Sequence, residues 1–352
     1  MVCVCRPTAL CSLRKKLFRW VTFFLLLFIM VIFYKEGCPC RGTSCGCETY
    51  ISDRGISSWF DKHFNSTIEP LLTKENQEIS PDILRWWLRL QLRETAPRPI
   101  HLQLFQKARK WRPTRGRRSC QCWSCAVVGN SGHLLGSGYG ALIDSHHVVL
   151  RMNKAMTEGY ESDVGRKTTH HIMYPESAKD LKANVVPVLV PFKPQDLIWL
   201  ESVQGSFRTQ KSIRAAWDKA AILHPAFMKY VHDSWMEQHG RYPSTGLLAL
   251  ILSLHLCDQL SVFGYGADSK GNWHHYWEHN RNAGAFRRTG VHNATFEAAV
   301  IQQLARIGKV RLYGSNHMEP RVAQATCHTA TSILESILSA LGICGQRSPW
   351  PG

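Results

Sequence analysis

Two short apolar segments, each ending close to an asparagine, constrain the fold of this chain more than any other feature. The first, Cys125–Val128, stops at Gly129 and is followed by a turn of small polar residues; the second, Val148–Leu150, leads into Arg-Met-Asn. Apolar, β-branched runs bounded by glycine and polar residues are typical of buried strands. Ligands bind at the ends of such strands in open α/β sheets. The sequence therefore predicts an α/β fold with Asn130 and Asn153 at the ends of two strands of one sheet.

The turn Gly-Asn-Ser-Gly that follows the first segment matches neither the dinucleotide fingerprint nor the P-loop. Ser131 also lacks the G-x-S-x-G frame of a hydrolase nucleophile. On spacing alone, a structural turn and a ligand-binding loop explain it equally well. The longer stretch from Cys125 to Ala155, which contains Asp144-Ser-His and Val-Leu-Arg-Met-Asn-Lys-Ala, resembles the large sialyl motif of eukaryotic and viral sialyltransferases.

The apolar run Leu247–Leu256 predicts a buried helix, with Ser244 and Thr245 as candidate N-cap residues. A capped core helix explains this pattern without any ligand, although the amides of a helix N-terminus also attract anions. The preceding string His-Gly-Arg-Tyr-Pro-Ser-Thr-Gly, which ends at Gly246, and the later segment Val262–Asp268 together resemble the small sialyl motif.

Two further histidine clusters follow. The string from His275 to His279 satisfies the H-x-x-E-H pattern of inverted zinc peptidases, but glycine and asparagine on both sides favour a loop over the helix that such a site requires. It resembles instead the third sialyltransferase motif, which usually has asparagine at the position of His279. His292 and Glu297 resemble the very small motif, His-x4-Glu. A histidine at a loop–helix junction is usually structural, and only the other motifs favour a catalytic role.

The N-terminus predicts a membrane anchor. Basic residues precede the apolar stretch Trp20–Phe33, so residues 1–16 are expected in the cytosol and 17–35 in the membrane. No small-residue cleavage site follows, which favours a retained anchor over a cleaved signal peptide. A span this short suits the membranes of the early secretory pathway.

The rest of the chain is then expected in the lumen. Residues 36–56, rich in Cys, Gly and Ser, predict a stem, and amphipathic character from Ser57 onward predicts a catalytic domain over 57–315. Within it, 97–119 is a basic, proline-punctuated segment that predicts a mobile loop. The tail 316–352 is expected to be dispensable.

The net charge of +17 at pH 7 comes largely from the cytosolic arm and the basic segment. No nucleic-acid recognition motif accompanies it, so nucleic acid is not an expected partner. A basic site suits a donor that carries a phosphate and a carboxylate.

Cysteine spacing leaves several chemistries open. Cys38-x-Cys40 and Cys45-x-Cys47 are compatible with zinc, and Cys122-x-x-Cys125 with a redox pair. The predicted lumenal location favours disulfides over both. Sequons for N-glycosylation begin at Asn65 and Asn293.

Taken together, the motifs are similar to those of type II Golgi sialyltransferases, in particular the β-galactoside α-2,3-sialyltransferases that act on Galβ1,3GalNAc. The resemblance implies a single Rossmann-like domain of variant GT-A fold, a CMP-sialic acid donor and galactose-terminated glycoprotein or glycolipid acceptors. It also implies inversion at the anomeric carbon, and no metal or other cofactor. The chain contains no Asp-x-Asp, the nearest approach being Glu161-Ser-Asp163. The choice between O-glycans and glycolipids, and whether a homodimer forms, stay open.

The resemblance also assigns roles to residues. His292 is the expected general base, and His275 is placed at the departing phosphate. The donor-binding positions are Asn130, Asn153, Tyr242, Ser244, Gly246 and Gly266, and the acceptor positions are Gln91, Tyr265 and Trp273. A disulfide is implied between Cys125 and Cys257, and Cys122 is expected to pair with one of the four stem cysteines. A donor-site tyrosine of the family has no clear equivalent near Ser206.

Two other functions are compatible with an α/β scaffold of this kind. A nucleotide-dependent oxidoreductase or methyltransferase would need a glycine fingerprint with a downstream acidic residue, and that fingerprint is missing. A catalytically inactive Golgi glycan-binding protein on the same scaffold remains the alternative.

Overall fold

The computed structural model describes residues 20, 47, 49–91, 122–204, 213–267, 273–278 and 290–314. The predicted basic loop at 97–119, the tail 316–352, Ser206 and, apart from Trp20, the predicted span at 17–35 lie outside these residues. Within the described part of the chain, no helix combines the length and the apolar character needed to cross a membrane.

The described residues form one parallel sheet of seven strands, in the order β5-β4-β3-β2-β1-β6-β7. The strands are β1 (Ser124–Val128), β2 (Val148–Met152), β3 (His170–Met173), β4 (Val186–Leu189), β5 (Ala221–Ile222), β6 (Gln259–Phe263) and β7 (Arg311–Tyr313). The sheet confirms the predicted α/β class.

Strand β1 occupies the point where the strand order reverses. Cys125 is in register with Val148 of β2 on one side and with Leu260 of β6 on the other. The two predicted strand segments are therefore neighbours in one sheet. In open parallel sheets a crevice forms at the carboxyl ends of the strands on either side of such a reversal, which places the candidate site beyond the ends of β1, β2 and β6.

Eight α-helices in the described part connect and cover the strands. They are α1 (Ser58–His63), α2 (Pro81–Leu88), α3 (Gly140–Ser145), α4 (Glu161–Val164), α5 (Pro194–Gln204), α6 (Pro225–Tyr230), α7 (Thr245–Leu256) and α8 (Ala294–Arg306). The amphipathic sequence from Pro225 to Glu237 predicts one helix; in the structure α6 continues as one π-helical turn, Val231–Trp235. The predicted buried helix over 247–256 corresponds to α7. The sequence also predicts a helix from about Thr295 to Ile307, which corresponds to α8.

Alternate residues of the sheet pack on opposite faces. Val127 and Leu150 belong to a large core that includes α7, whereas Ala126 and Val149 belong to a smaller one with Ile143 of α3. The period of two in side-chain direction produces this division. Helix α7 is buried without interruption from Leu247 to Leu254, and each buried leucine stabilises the fold by about 1.5–3 kcal/mol. The uniformly apolar sequence of α7 follows from its position inside the core.

The N-terminal part of the described domain is tied to the sheet. The structure contains the disulfides Cys125–Cys257 and Cys47–Cys122, so the stem partner of Cys122 is Cys47. Ile51 is 3% exposed, and its amide donates to the carbonyl oxygen of Asp258. Ile51, in the predicted stem, therefore packs in the same core as the sheet.

Candidate active site

A cavity of about 600 Å³ lies along the carboxyl edge of the sheet. Every residue predicted to bind donor or acceptor or to act in catalysis lines it, with the exception of Gly266: the lining includes Gln91, Asn130, Asn153, Tyr242, Ser244, Gly246, Tyr265, Trp273, His275 and His292. Residues far apart in the sequence thus meet in one site.

Asn130 follows the end of β1. Its amide nitrogen donates to the carbonyl oxygen of Met152 at 3.2 Å, which holds the side chain across the end of β2. The amide oxygen, Oδ1, is buried and has no hydrogen-bond partner among the described residues. A buried acceptor left without a partner costs free energy. A ligand with an N–H or O–H group at this point would satisfy it.

Asn153 follows the end of β2 in the left-handed conformation, with φ = 55°. Such backbone is unfavourable for residues other than glycine, although asparagine tolerates it better than most. Nε2 of His171 donates to its carbonyl oxygen at 2.6 Å, and the hydroxyl of Ser177 donates to its Oδ1 at 3.1 Å. These two bonds hold the Asn153 side chain at the cavity.

The floor of the site is a close crossing of two backbones. The amide of Gly129 donates to the carbonyl oxygen of Phe263 at 2.7 Å. A Cβ atom on Gly129 would lie 2.3 Å from the carbonyl oxygen of Gly264, and one on Gly264 would lie 2.4 Å from Leu134 Cδ1. Only glycine lets the ends of β1 and β6 approach this closely.

The N-terminus of α7 is capped from both sides. Ser244 Oγ accepts a hydrogen bond from the Leu247 amide at 3.1 Å and donates to Glu297 Oε2, while the Ser244 amide donates to Glu297 Oε1 at 2.8 Å. Glu297 is fully enclosed, and burial raises its pKa to about 7. The helix cap predicted from sequence is present, and Gly246 exposes the first turn of α7 to the cavity.

Tyr265 packs against this same helix end. Its hydroxyl donates to the carbonyl oxygen of Gly246 at 2.9 Å, and burial raises its pKa. Gly266 does not line the cavity; its carbonyl oxygen accepts a hydrogen bond from Ser131 Oγ at 2.8 Å. In this structure Gly266 therefore supports the loop after β1.

The segment 273–278 is a turn and not a helix, which confirms the loop predicted there. His275 forms an antiparallel bridge with Ser131, and the amide of Tyr276 donates to the carbonyl oxygen of Asn130 at 3.2 Å. Nδ1 of His275 lies 2.9 Å from Glu278 Oε1, and its ring stacks on Trp277 with centroids 4.5 Å apart. Within the described residues, no group of three or more His, Cys, Asp or Glu side chains is arranged to hold a metal.

His292 lies just before α8 and lines the same cavity. Its Nδ1 is 2.9 Å from the carbonyl oxygen of Tyr242. A carbonyl oxygen only accepts, so Nδ1 carries the proton and the lone pair of the neutral ring is on Nε2. Burial lowers the pKa of His292, the bond to Tyr242 opposes this shift, and the charge of Arg241 adds to it. The ring is thus kept neutral and able to accept a proton.

A row of rings extends from His292 into the cavity. The rings of His292 and Tyr242 are perpendicular, with centroids 5.0 Å apart, and the centroids of Tyr242 and Phe192 are 5.1 Å apart. Phe192 in turn meets Tyr174 at 5.7 Å. The hydroxyl of Tyr242 accepts a hydrogen bond from Gln91 Nε2 at 3.3 Å, so a predicted acceptor residue is in contact with the ring that holds the candidate base.

Comparison with known proteins agrees with this geometry. The family model described as glycosyltransferase family 29 (sialyltransferase) matches residues 71–309. This chain belongs to glycosyltransferase family 29. The CMP-N-acetylneuraminate-beta-galactosamide-alpha-2,3-sialyltransferase 2 of Rattus norvegicus is 51% identical over 291 residues, covering 80% of this chain and 83% of that protein. The CMP-N-acetylneuraminate-beta-galactosamide-alpha-2,3-sialyltransferase 1 of Homo sapiens is 51% identical over 280 residues, covering 76% of this chain and 82% of that protein.

Solved structures match the family 29 domain as well. A mammalian sialyltransferase superposes with a TM-score of 0.69 at 46% identity, covering 78% of this chain and 99% of that one. A mammalian sialyltransferase in complex with Gal-beta-1-3GalNAc-ortho-nitrophenol gives 0.69 at 47% identity, with coverage of 76% and 98%. The parallel-sheet α/β domain described above is therefore that of a sialyltransferase.

Sequence reasoning missed a group of polar cavity residues beyond β3 and β4. Tyr174 and Glu176 follow β3, and Lys193 and Asp196 follow β4 at the start of α5. The rule that ligands bind at strand ends applies to these two strands as it does to β1 and β2. The sequence also predicts a buried strand over Val185–Val190 that stops at Pro191, and applying this rule to its end would have found Lys193.

Asp163, the nearest approach to an Asp-x-Asp pair, has a structural role. Its carboxylate accepts hydrogen bonds from the amides of Gly136 and Gly138 at 2.8 and 2.9 Å, and it does not line the cavity.

The two asparagines of the N-glycosylation sequons differ in environment. Asn65 is exposed, whereas Asn293 is half-buried and its Oδ1 caps α8 by accepting from the Phe296 amide.

Proposed function

We propose that this family 29 protein transfers sialic acid from CMP-sialic acid to the 3-hydroxyl of a terminal galactose, with inversion at the anomeric carbon and without a metal. The observation that carries the proposal is the hydrogen bond between His292 Nδ1 and the Tyr242 carbonyl oxygen, which leaves Nε2 as a proton acceptor in the same cavity as His275. The names of the relatives at about 50% identity support the donor, the β-galactoside acceptor and the α-2,3 linkage.

The two histidines have separate roles in the proposed reaction. The galactose O3 attacks C2 of the sialic acid while the bond from C2 to the CMP phosphate oxygen breaks, and the O3 proton passes to His292 Nε2. The leaving CMP carries the electron pair of that bond as negative charge. His275, hydrogen-bonded to Glu278, would donate to this developing charge as an imidazolium. Each group thus acts on a different side of the reacting carbon.

The donor is proposed to lie along the ends of β1 and β2. Asn130 and Asn153 would bind the nucleotide, and the first turn of α7 with Ser244 and Gly246 would lie near the phosphate. The supporting observations are the unpartnered Oδ1 of Asn130 and the position of Gly246 at the cavity. Gln91 and Trp273 are proposed to hold galactose near His292.

The acceptor proposed is Galβ1,3GalNAc on O-glycans or glycolipids. A mammalian sialyltransferase at 47% identity has been solved with a compound of this disaccharide. We further propose that the protein is a type II membrane protein of the Golgi with its catalytic domain in the lumen. The two disulfides in the described domain are consistent with an oxidising compartment.

The test is a transfer assay with the purified full-length protein, CMP-sialic acid and a Galβ1,3GalNAc glycoside. We expect a product whose sialic acid is released by an α-2,3-specific sialidase, and the same rate after exhaustive dialysis against EDTA. Binding of the glycan without any transfer would favour the inactive Golgi protein. Loss of transfer on chelation, restored by a divalent cation, would refute metal independence.

A further inference from the structure

The end of the cavity beyond Phe192 contains three charged side chains that have no part in the proposed reaction. Lys193 Nζ lies 2.6 Å from Glu176 Oε1 and 3.2 Å from Asp196 Oδ1. The side chain of Asp196 is 2% exposed, that of Lys193 is 26% exposed and that of Glu176 is 58% exposed. The three groups therefore form one cluster. The buried Asp196 is its anchor, and the more exposed Glu176 and Lys193 are its outer pair at the cavity.

The anchor is fixed by the start of α5. Asp196 Oδ2 accepts a hydrogen bond from the Lys193 amide at 3.2 Å, which sets the turn that carries the lysine. Its Oδ1 is buried and, among the described residues, makes an ion pair but no hydrogen bond. The ammonium group is therefore held in place by a carboxylate that has few other partners.

The outer pair retains hydrogen-bonding capacity. An ammonium group has three donors; that of Lys193 donates one hydrogen bond to Glu176 Oε1 and forms an ion pair with Asp196. The side chain of Glu176 is more than half exposed, so its carboxylate can accept a further hydrogen bond. A hydroxyl group placed between the two side chains could donate to Glu176 and accept from Lys193, which is the pattern by which a charged pair recognises a sugar hydroxyl.

The cluster is next to an aromatic surface. Tyr174 and Phe192, 5.7 Å apart and close to perpendicular, flank the pair, and Phe192 contacts Tyr242, which binds both Gln91 and His292. An apolar wall with a few placed polar groups is the usual composition of a small-molecule site. This part of the cavity thus continues outward from the candidate base.

Charge decides which substrate this end accommodates. CMP-sialic acid carries a phosphate and a carboxylate, both negative. The cluster contains one cation and two carboxyl groups, so it offers no net positive charge to an anion. Of the lysines and arginines among the described residues, Lys193 alone lines the cavity, and it is already paired. A neutral sugar suits this environment better than the donor does.

We propose that Glu176 and Lys193, held by Asp196, bind the hydroxyl or acetamido group of the second sugar of the acceptor, the one that carries the reacting galactose. This subsite rests on the proposed transferase function and sets its preference for a disaccharide over a simple galactoside. The pair touches substrate away from the reacting atoms and is a specificity-determining element.

The experiment compares two acceptors, a Galβ1,3GalNAc glycoside and a simple β-galactoside, across four purified full-length variants. Glu176→Gln and Lys193→Met alter the pair. Glu201→Gln on α5 and Lys219→Met, both exposed and outside the cavity, make the same chemical changes elsewhere. We expect each cavity variant to raise KM for the disaccharide about tenfold, the usual effect of losing one hydrogen bond to a charged group, with KM for the galactoside and for the donor unchanged.

Several outcomes would overturn the subsite. These are an equal rise in KM for both acceptors, a rise in KM for the donor, or no change in any of the three. Transfer by the unmodified protein to the simple galactoside tests the proposed function by itself, and the ratio between acceptors tests the subsite. Since Lys193→Met leaves Asp196 buried without its counter-charge, thermal unfolding of each variant is followed, and the exposed Glu176→Gln serves if Lys193→Met does not fold.

Discussion

Nε2 of His171 donates a hydrogen bond to the carbonyl oxygen of Asn153 at 2.6 Å. His171 is 2% exposed, and burial lowers its pKa to about 4, so this ring is neutral when it holds the end of β2. His170 and His255 have pKa values lowered to about 4 for the same reason. The asparagine proposed to bind the nucleotide is therefore held by a histidine that burial keeps neutral.

Buried neutral histidines make the fold sensitive to acid. The unfolded chain takes up a proton at each histidine near pH 6.5, whereas the folded chain does so only near pH 4, so stability falls as pH is lowered between these values. Each group contributes up to about 1.4 kcal/mol per pH unit. His255→Phe removes one of these histidines. We expect it to lower the slope of the unfolding free energy against pH by the equivalent of about one bound proton, as measured by urea unfolding between pH 6.5 and 4.5.

The comparison with the unmodified protein isolates that proton. Burial raises the pKa of Asp196 to about 6 and of Glu297 to about 7, and these groups act in the opposite direction, because the folded state holds their protons at higher pH. An unchanged slope in the His255→Phe protein would show that this histidine titrates normally in the folded chain.

Replacing His292 with alanine should separate transfer from donor cleavage. A positioned base contributes about 10²- to 10⁴-fold to rate, so we expect a loss of this size in transfer, with CMP affinity and donor hydrolysis largely kept. The burial that lowers the pKa of His292 should also place the acid limb of the kcat/KM profile below pH 6.5, because activity falls only as this group is protonated. Near-normal transfer by the variant would exclude His292 as the base.

Replacing His275 with alanine should affect donor chemistry itself. We expect both transfer and acceptor-free hydrolysis of CMP-sialic acid to slow by roughly 10²- to 10³-fold, the effect of removing one donor to a developing negative charge. Glu278→Gln, which keeps the hydrogen-bond acceptor 2.9 Å from Nδ1 but removes its charge, should give an intermediate loss. Unchanged hydrolysis by His275→Ala would rule out the phosphate role.

Gly129→Ala should destabilise the domain severely, while Gly132→Ala should not. The added methyl at Gly129 would lie 2.3 Å from a backbone oxygen, whereas at Gly132 its nearest neighbour would be 3.6 Å away. Because backbone cannot move aside as a side chain can, we expect a loss of more than about 3 kcal/mol at Gly129. Denaturant unfolding of the two variants checks this, and equal stabilities would contradict the close crossing of β1 and β6.

The Cys125–Cys257 disulfide should be a major contributor to stability. It joins residues 132 apart, and the chain-entropy model gives about 5 kcal/mol for a loop of this length. We expect the double variant Cys125→Ser and Cys257→Ser to lose a comparable amount of stability in urea unfolding.

Peptide mapping without reduction should recover Cys47 joined to Cys122. Recovery of Cys122 with another stem cysteine would contradict the pairing.

The sequence predicts the centre of this fold well, because its elements are locally distinctive. The segments Cys125–Val128 and Leu247–Leu256 are apolar enough to be recognised as a buried strand and a buried helix, and both are present. Their resemblance to sialyl motifs also located most cavity residues. The length of the helix from Pro225 was less predictable, since its change to a π-helical turn at Val231 depends on packing around Trp235.

Other features depend on contacts between distant parts of the chain. Ile51 has no periodic neighbours in sequence, and only its packing and its bond to Asp258 place it in the domain. Glu176 and Lys193 are ordinary surface residue types, and their pairing across 17 positions is visible only in three dimensions. Spacing also does not reveal which of four cysteines pairs with Cys122, because loop closure costs nearly the same for all of them.

The disulfide between Cys47 and Cys122 determines how mechanical tension enters the domain. Cys122 is two residues before β1, the strand at the centre of the sheet. A pull on the chain ahead of Cys47 passes through the two sulfur atoms to β1, which is hydrogen-bonded on both edges. The covalent loop between the two cysteines, which contains α1, α2 and the cavity residue Gln91, is therefore spared the load.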